Sequence, residues 1–90
     1  MQHEGLRPSP AVRASASEDG LILLDVERGL VLSANAIGAR IWHLIEQRQS
    51  AQQIAEQLVD DYRIPLDRAH HDVAAFVAQL AARGLVGPDR

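Results

Sequence analysis

The chain has no cysteine in its 90 residues. Disulfides and thiolate metal sites are thereby excluded, and a small core must be held by apolar packing alone. Aromatic residues are almost as scarce, with one Phe, one Trp and one Tyr. The core must therefore be mainly aliphatic, drawn from the 47% of residues that are hydrophobic. Positive charge is not in excess either, because nine Lys and Arg against twelve Asp and Glu leave a formal net charge of -3. A nucleic-acid binder gains affinity by releasing counterions from phosphates, and this chain starts without that advantage. Long apolar runs are missing too. The opening "MQHEGLRPSP" holds nothing like the ~7–15-residue apolar stretch of a secretory signal, and no later run approaches the ~20 residues of a membrane span. The expectation is a soluble cytoplasmic protein of one small domain with no membrane partner.

What is present falls into two halves of different period. Residues 1–10 show no periodicity and are interrupted by Pro8 and Pro10, so they read as a flexible arm. In "AVRASAS", Val12, Ala14 and Ala16 alternate with Arg13, Ser15 and Ser17, the period of a half-buried strand. "LILLDV" (Leu21 to Val26) is a continuous apolar strand and "LVLS" (Leu30 to Ser33) a third. The breaks "EDG" and "ERG" each end in glycine, which suits hairpin loops with Gly20 and Gly29 at positive φ. A three-stranded antiparallel meander is expected from this spacing.

From Asn35 the period becomes helical. Asn35 is a good N-cap, and Ile37, Ile41, Leu44 and Ile45 recur on one face with Trp42 beside them, predicting a helix to about Gln47. Ser50 followed by Gln53 is a capping-box pattern ahead of Ile54, Leu58 and Val59, predicting a second helix to about Asp61 or Tyr62. Pro65 suits the first turn of a third helix, Asp67 places a favourable charge there, and Gly84 with Leu85 reads as its C-terminal stop. The fold class is α+β, a meander followed by three helices, the last two forming a helix-turn-helix pair.

The run "DGLILLDVERGLVLSANAIGARIWHLI", then "SAQQIAEQLVDDY", then "HDVAAFVAQLAARGLV" resembles the PqqD-like family, the leader-peptide recognition domains of ribosomally made, post-translationally modified peptides. The resemblance spans residues 11–86 and leaves 87–90 as a tail. It rests on the hairpin glycine, the N-x-x-G-x-x-I-W start of the first helix (Asn35, Gly38, Ile41, Trp42) and the ending Asp72, Val73, Phe76, Val77, Leu80, Gly84, Leu85. It implies a winged helix-turn-helix-like fold and a non-catalytic, cofactor-free protein that captures a precursor leader peptide as an extra strand. The partner it implies is a separate maturation enzyme. A free-standing chain with "GARIW" looks most like the recognition proteins of lasso peptide pathways, which serve a leader peptidase. It looks less like the chaperone of a radical enzyme in pyrroloquinoline quinone biosynthesis.

The residues supply a physical reason of their own. If the strands lie in sequence order, the third is an edge with unpaired N–H and C=O groups, and such an edge invites another strand. Arg13 and Pro10 guard the first strand, whereas Leu30 to Ser33 has no charge or proline. The expected peptide strand is therefore docked on Leu30, Val31, Leu32 and Ser33, and the resemblance implies a groove closed by the third helix, at Asp72, Val73, Phe76, Gln79 and Leu80. Leu30 and Leu32 share one face of the strand and Val31 and Ser33 the other; which pair is core is left open.

Sharper chemistry finds no support. His70 and His71 are adjacent, so they point about 100° apart on a helix, and no further ligands stand at metal spacing. Asp60 and Asp61 read as a solvated helix end, and Ser33 and His43 do not stand at the spacing of a triad. Trp42 reads as core. A DNA-binding module is the alternative from another class, but the third helix carries Asp67, Arg68, His70, His71, Asp72 and Arg83, a charge-balanced set unsuited to phosphate. A dimerisation module would use the same open edge to pair with itself; a monomer or weak dimer is the expectation.

Overall fold

The computed structural model describes residues 6–88. In chain order it contains β1 (Leu6–Pro8), β2 (Val12–Ser17), β3 (Gly20–Asp25), β4 (Leu30–Asn35), α1 (Ala36–Glu46), α2 (Ala51–Tyr62), α3 (Leu66–Ala82) and β5 (Val86–Pro88). The meander has the order β2-β3-β4, so β4 is an edge as expected. The α+β class and the three helices agree with the reading of the sequence.

Local chemistry sets the helix ends. Asn35 accepts from the Gly38 N–H at 3.0 Å and caps α1. Ser50 and Gln53 form a complete capping box, with the Gln53 N–H to Ser50 Oγ at 3.1 Å and the Ser50 N–H to Gln53 Oε1 at 2.9 Å. Pro65 is the N-cap residue of α3, immediately before the first turn in which it was expected. Arg63, at φ 57, ends α2 in the left-handed region and turns the chain towards α3.

Three expectations are corrected. Leu6–Pro8 is not a loose arm: it pairs antiparallel with Val86–Pro88, so part of the expected tail is also strand. Each partner is only three residues long, too short to show a period in the sequence. Residues 1–5 of that arm and 89–90 of the tail lie outside the described residues. The second correction is Gly20, which does not take positive φ. It is the first residue of β3, opposite Ser17 and Asn35, and a Cβ there would run into the Ala34 carbonyl, so close approach explains the glycine. Gly29, at φ 72, does turn the β3–β4 loop as expected. Thirdly, Ala14 and Ala16 are exposed, because α1 packs mainly beneath β3 and β4 and leaves β2 uncovered beyond Val12.

The core is aliphatic. Leu21 and Leu23 of β3 meet Ile41, Leu44 and Ile45 of α1, Ile54 and Leu58 of α2, and Val73 and Leu80 of α3. Trp42 joins them at 3% exposure, as expected, although its Nε1 has no hydrogen-bond partner among the described residues.

Candidate functional site

β4 presents its two faces to different surroundings. Leu32 and Ala34 pack against the core, while Val31 and Ser33 are exposed, so of the two pairs left open above it is the Leu30 and Leu32 face that turns inward, with Leu30 itself exposed at the strand's start. The direction of the backbone groups follows from one bond. The Val26 N–H donates to the Ala11 carbonyl at 3.0 Å, next to the Val12–Asp25 pair. In an antiparallel ladder, bonded and non-bonded pairs alternate, so Leu24, Ile22 and Gly20 turn their N–H and C=O groups towards β2. Leu21, Leu23 and Asp25 must then bond β4, at Ala34, Leu32 and Leu30. The Gly29 N–H to Asp25 carbonyl bond of 2.8 Å agrees. Val31, Ser33 and Asn35 are left with their backbone groups directed outward along the free edge.

That edge runs into a cleft of about 360 Å³. Ser33, Ala34 and Asn35 form one wall, the start of α1 (Ile37, Gly38, Ile41) forms the floor, and Arg68, His71, Asp72, Ala75, Phe76 and Gln79 of α3 form the opposite wall. Phe76 is 9% exposed and lies over Gly38, where an added Cβ would come within 3.3 Å of the ring. The floor is thus apolar and the rim polar. On the rim the Asp72 carboxylate lies 3.7 Å from Arg68 Nε, one helical turn away, a loose pairing that leaves acceptor capacity.

Of the expected site residues, the cleft brings together Ser33, Asp72, Phe76 and Gln79. Leu30, Val31 and Leu32 lie further back along the same strand. Val73 and Leu80 are corrected: at 2% and 0% exposure they are core and sit behind the cleft wall. The centre of a helix's apolar face points at the hydrophobic core, so a cleft must be lined by the neighbouring stripe. Arg68, Asp72, Ala75, Phe76 and Gln79 follow that stripe at helical spacing, and reading it would have found Arg68 and Ala75. Ala34, Asn35, Ile37, Gly38, Ile41 and His71 were also missed as site residues. Among the described residues no cluster of His, Cys, Asp or Glu is arranged to hold a metal.

Fold and site together define a small α+β domain built around an open sheet edge that leads into a cleft between strand and helix. The chain belongs to the PqqD family, whose model, described as coenzyme PQQ synthesis protein D (PqqD), matches residues 20–86. Two solved structures share the fold. One is TbiB1 in complex with the TbiA(beta) leader peptide, with TM-score 0.84 and 25% identity over 93% of this chain and 98% of that one. The other is a lasso peptide synthetase B1 complexed with the leader peptide, with TM-score 0.82 and 26% identity over 92% of this chain and 98% of that one. No curated protein matches the chain.

Proposed function

We propose that this protein binds the leader segment of a ribosomally made precursor as an added strand on β4 and presents it to a separate processing enzyme, the leader peptidase of a lasso peptide pathway. The observation that carries this reading is the free edge of β4 opening directly into the cleft. Main-chain bonds to Val31, Ser33 and Asn35 would supply sequence-independent affinity. Alternate leader side chains would lie on the Ala34 side, against Ile41 and Phe76, where the cleft offers selectivity. The two structural neighbours support the reading, since both hold leader peptides.

The role is binding without chemistry. The His43 ring is turned to Gln47 at 3.1 Å on the exposed side of α1, and Ser33 stands on the strand wall, so these residues do not form a nucleophile and base. No described helix is long and apolar enough to cross a membrane.

Titrating labelled protein with a synthetic leader peptide should shift the amides of Val31, Ser33 and Asn35 together with those of Asp72, Phe76 and Gln79. Asp72→Ala should weaken binding with little change in melting, because that carboxylate stands on the rim. Shifts confined to β2 or α2 would refute the site, and leader cleavage by this protein alone would refute the non-catalytic role.

A further inference from the structure

Arg28 lies in the β3–β4 turn and does not line the cleft, yet its side chain ties the two cleft walls together. Its Nε donates to Asp25 Oδ2 at 2.9 Å. Asp25 is 2% exposed and is held from within the turn, where the N–H groups of Glu27 and Arg28 each donate to Oδ1 at 3.0 Å. The other end of the guanidinium donates to the carbonyl of Arg83, the C-cap residue of α3. The chain beyond α3 is shaped around this group: Gly84 has φ 70, and a Cβ there would collide with the guanidinium. At the α3 terminus the Leu80 and Ala81 carbonyls are satisfied internally, by the Leu85 N–H at 2.9 Å and the Gly84 N–H at 3.0 Å respectively. The Arg83 carbonyl goes instead to Arg28.

The placement gives this tie its consequence. The cleft opens between the Ser33–Asn35 end of β4 and the Arg68–Gln79 stretch of α3. Arg28 joins the Leu30 end of β4 to the Arg83 end of α3. The two walls therefore run in opposite directions, tied at one end and open at the other. We propose that Arg28 is a positioning residue for the cleft, fixing the spacing of β4 and α3 and through it the affinity for an added strand that it does not touch. This inference rests on the leader-binding reading above. An arginine suits the task because its planar fork can serve the carboxylate and the carbonyl at once, whereas a lysine is a single point donor.

The test compares Arg28→Ala and Arg28→Lys with Arg40→Ala, which removes the 2.7 Å pair between Arg40 of α1 and Asp61 of α2, away from the α3 wall. Affinity for the synthetic leader is measured well below every melting temperature, so that loss of stability alone does not register. Arg28→Ala should bind about five- to thirtyfold more weakly, Arg28→Lys should recover part of the loss, and Arg40→Ala should bind as the unaltered protein does. A second readout needs no ligand: the nuclear Overhauser contact between the Phe76 ring and Gly38 should weaken in Arg28→Ala only. Unchanged affinity and an unchanged Phe76–Gly38 contact in Arg28→Ala would overturn the proposal. Failure of the unaltered protein to bind any leader would instead overturn the leader-binding reading, and the Phe76–Gly38 contact would still decide whether Arg28 sets the spacing.

Discussion

At the scale of single residues, Asp25 is the one buried charge among the described residues, and its surroundings favour the ionised form. The Arg28 backbone N–H is the largest influence holding its carboxyl below the ordinary aspartate range. Burial acts the other way, and the Arg28 guanidinium and the Glu27 N–H add to the lowering. The sign of the pH dependence follows. A carboxyl whose folded pKa lies below its unfolded value of about 3.9 contributes stability above that value and loses it as pH falls through the folded pKa. The melting gap between the unaltered protein and Asp25→Asn should therefore be full at pH 7 and shrink below about pH 4. A gap that stays constant down to pH 2 would show that the charge is not what matters there. In the sequence, Asp25 reads only as one polar residue closing an apolar strand. Its burial depends on Arg28 and on a turn whose partner at Arg83 is distant in the chain, and no local pattern reports such a contact.

At the scale of elements, the alternation of backbone groups along β4 separates binding from folding. The Val31 N–H faces the free edge and the Leu32 N–H faces β3. Proline at either position removes a donor, but only at 32 does it remove one that the protein already uses. Val31→Pro should lower leader affinity with a small change in melting. Leu32→Pro should cost at least about 1–3 kcal/mol of stability, read as a lowered melting temperature with or without leader. The reverse pattern would mean that the ladder phase is shifted by one residue. Much of this element was readable beforehand. The apolar "LVL" without a charge marked an edge left open, and Asn35 marked where the strand gives way to a helix. Which face is core was not readable, because Leu30, Val31 and Leu32 are alike in character. The choice is made by α1 packing beneath β3, where Leu21 and Leu23 select the partners facing the same way. The third helix shows the opposite difficulty. Its apolar face was plain, and that same strength drew Val73 and Leu80 into the expected site, although a strongly apolar stripe is the one most completely buried.

At the scale of the whole molecule, a small domain without cysteine joins two segments distant in sequence, Leu6–Pro8 and Val86–Pro88, as a pair of strands. Leu6 packs against the core, the Ser9 N–H donates to the Leu85 carbonyl at 2.9 Å, and β1 pairs along β5. The short β1–β5 ladder lies beside α1 and α3, apart from the meander and its free edge. It therefore bears on stability more directly than on recognition. A chain beginning at Ala11 would lose the β1 strand and leave the β5 backbone and the Leu85 carbonyl without their partners. From the apolar area of one partly buried leucine and a few exchanged backbone bonds, the cost should be about 1–3 kcal/mol. A small core has little stability to spare, so this should appear as a clear fall in melting temperature. Leader affinity, measured well below that temperature, should change little, because Ser33, Asn35, Asp72 and Phe76 keep their surroundings. If removing residues 1–10 abolished leader binding while leaving melting unchanged, the segment would belong to the recognition surface, and the division between a closing clasp and a binding edge would have to be given up.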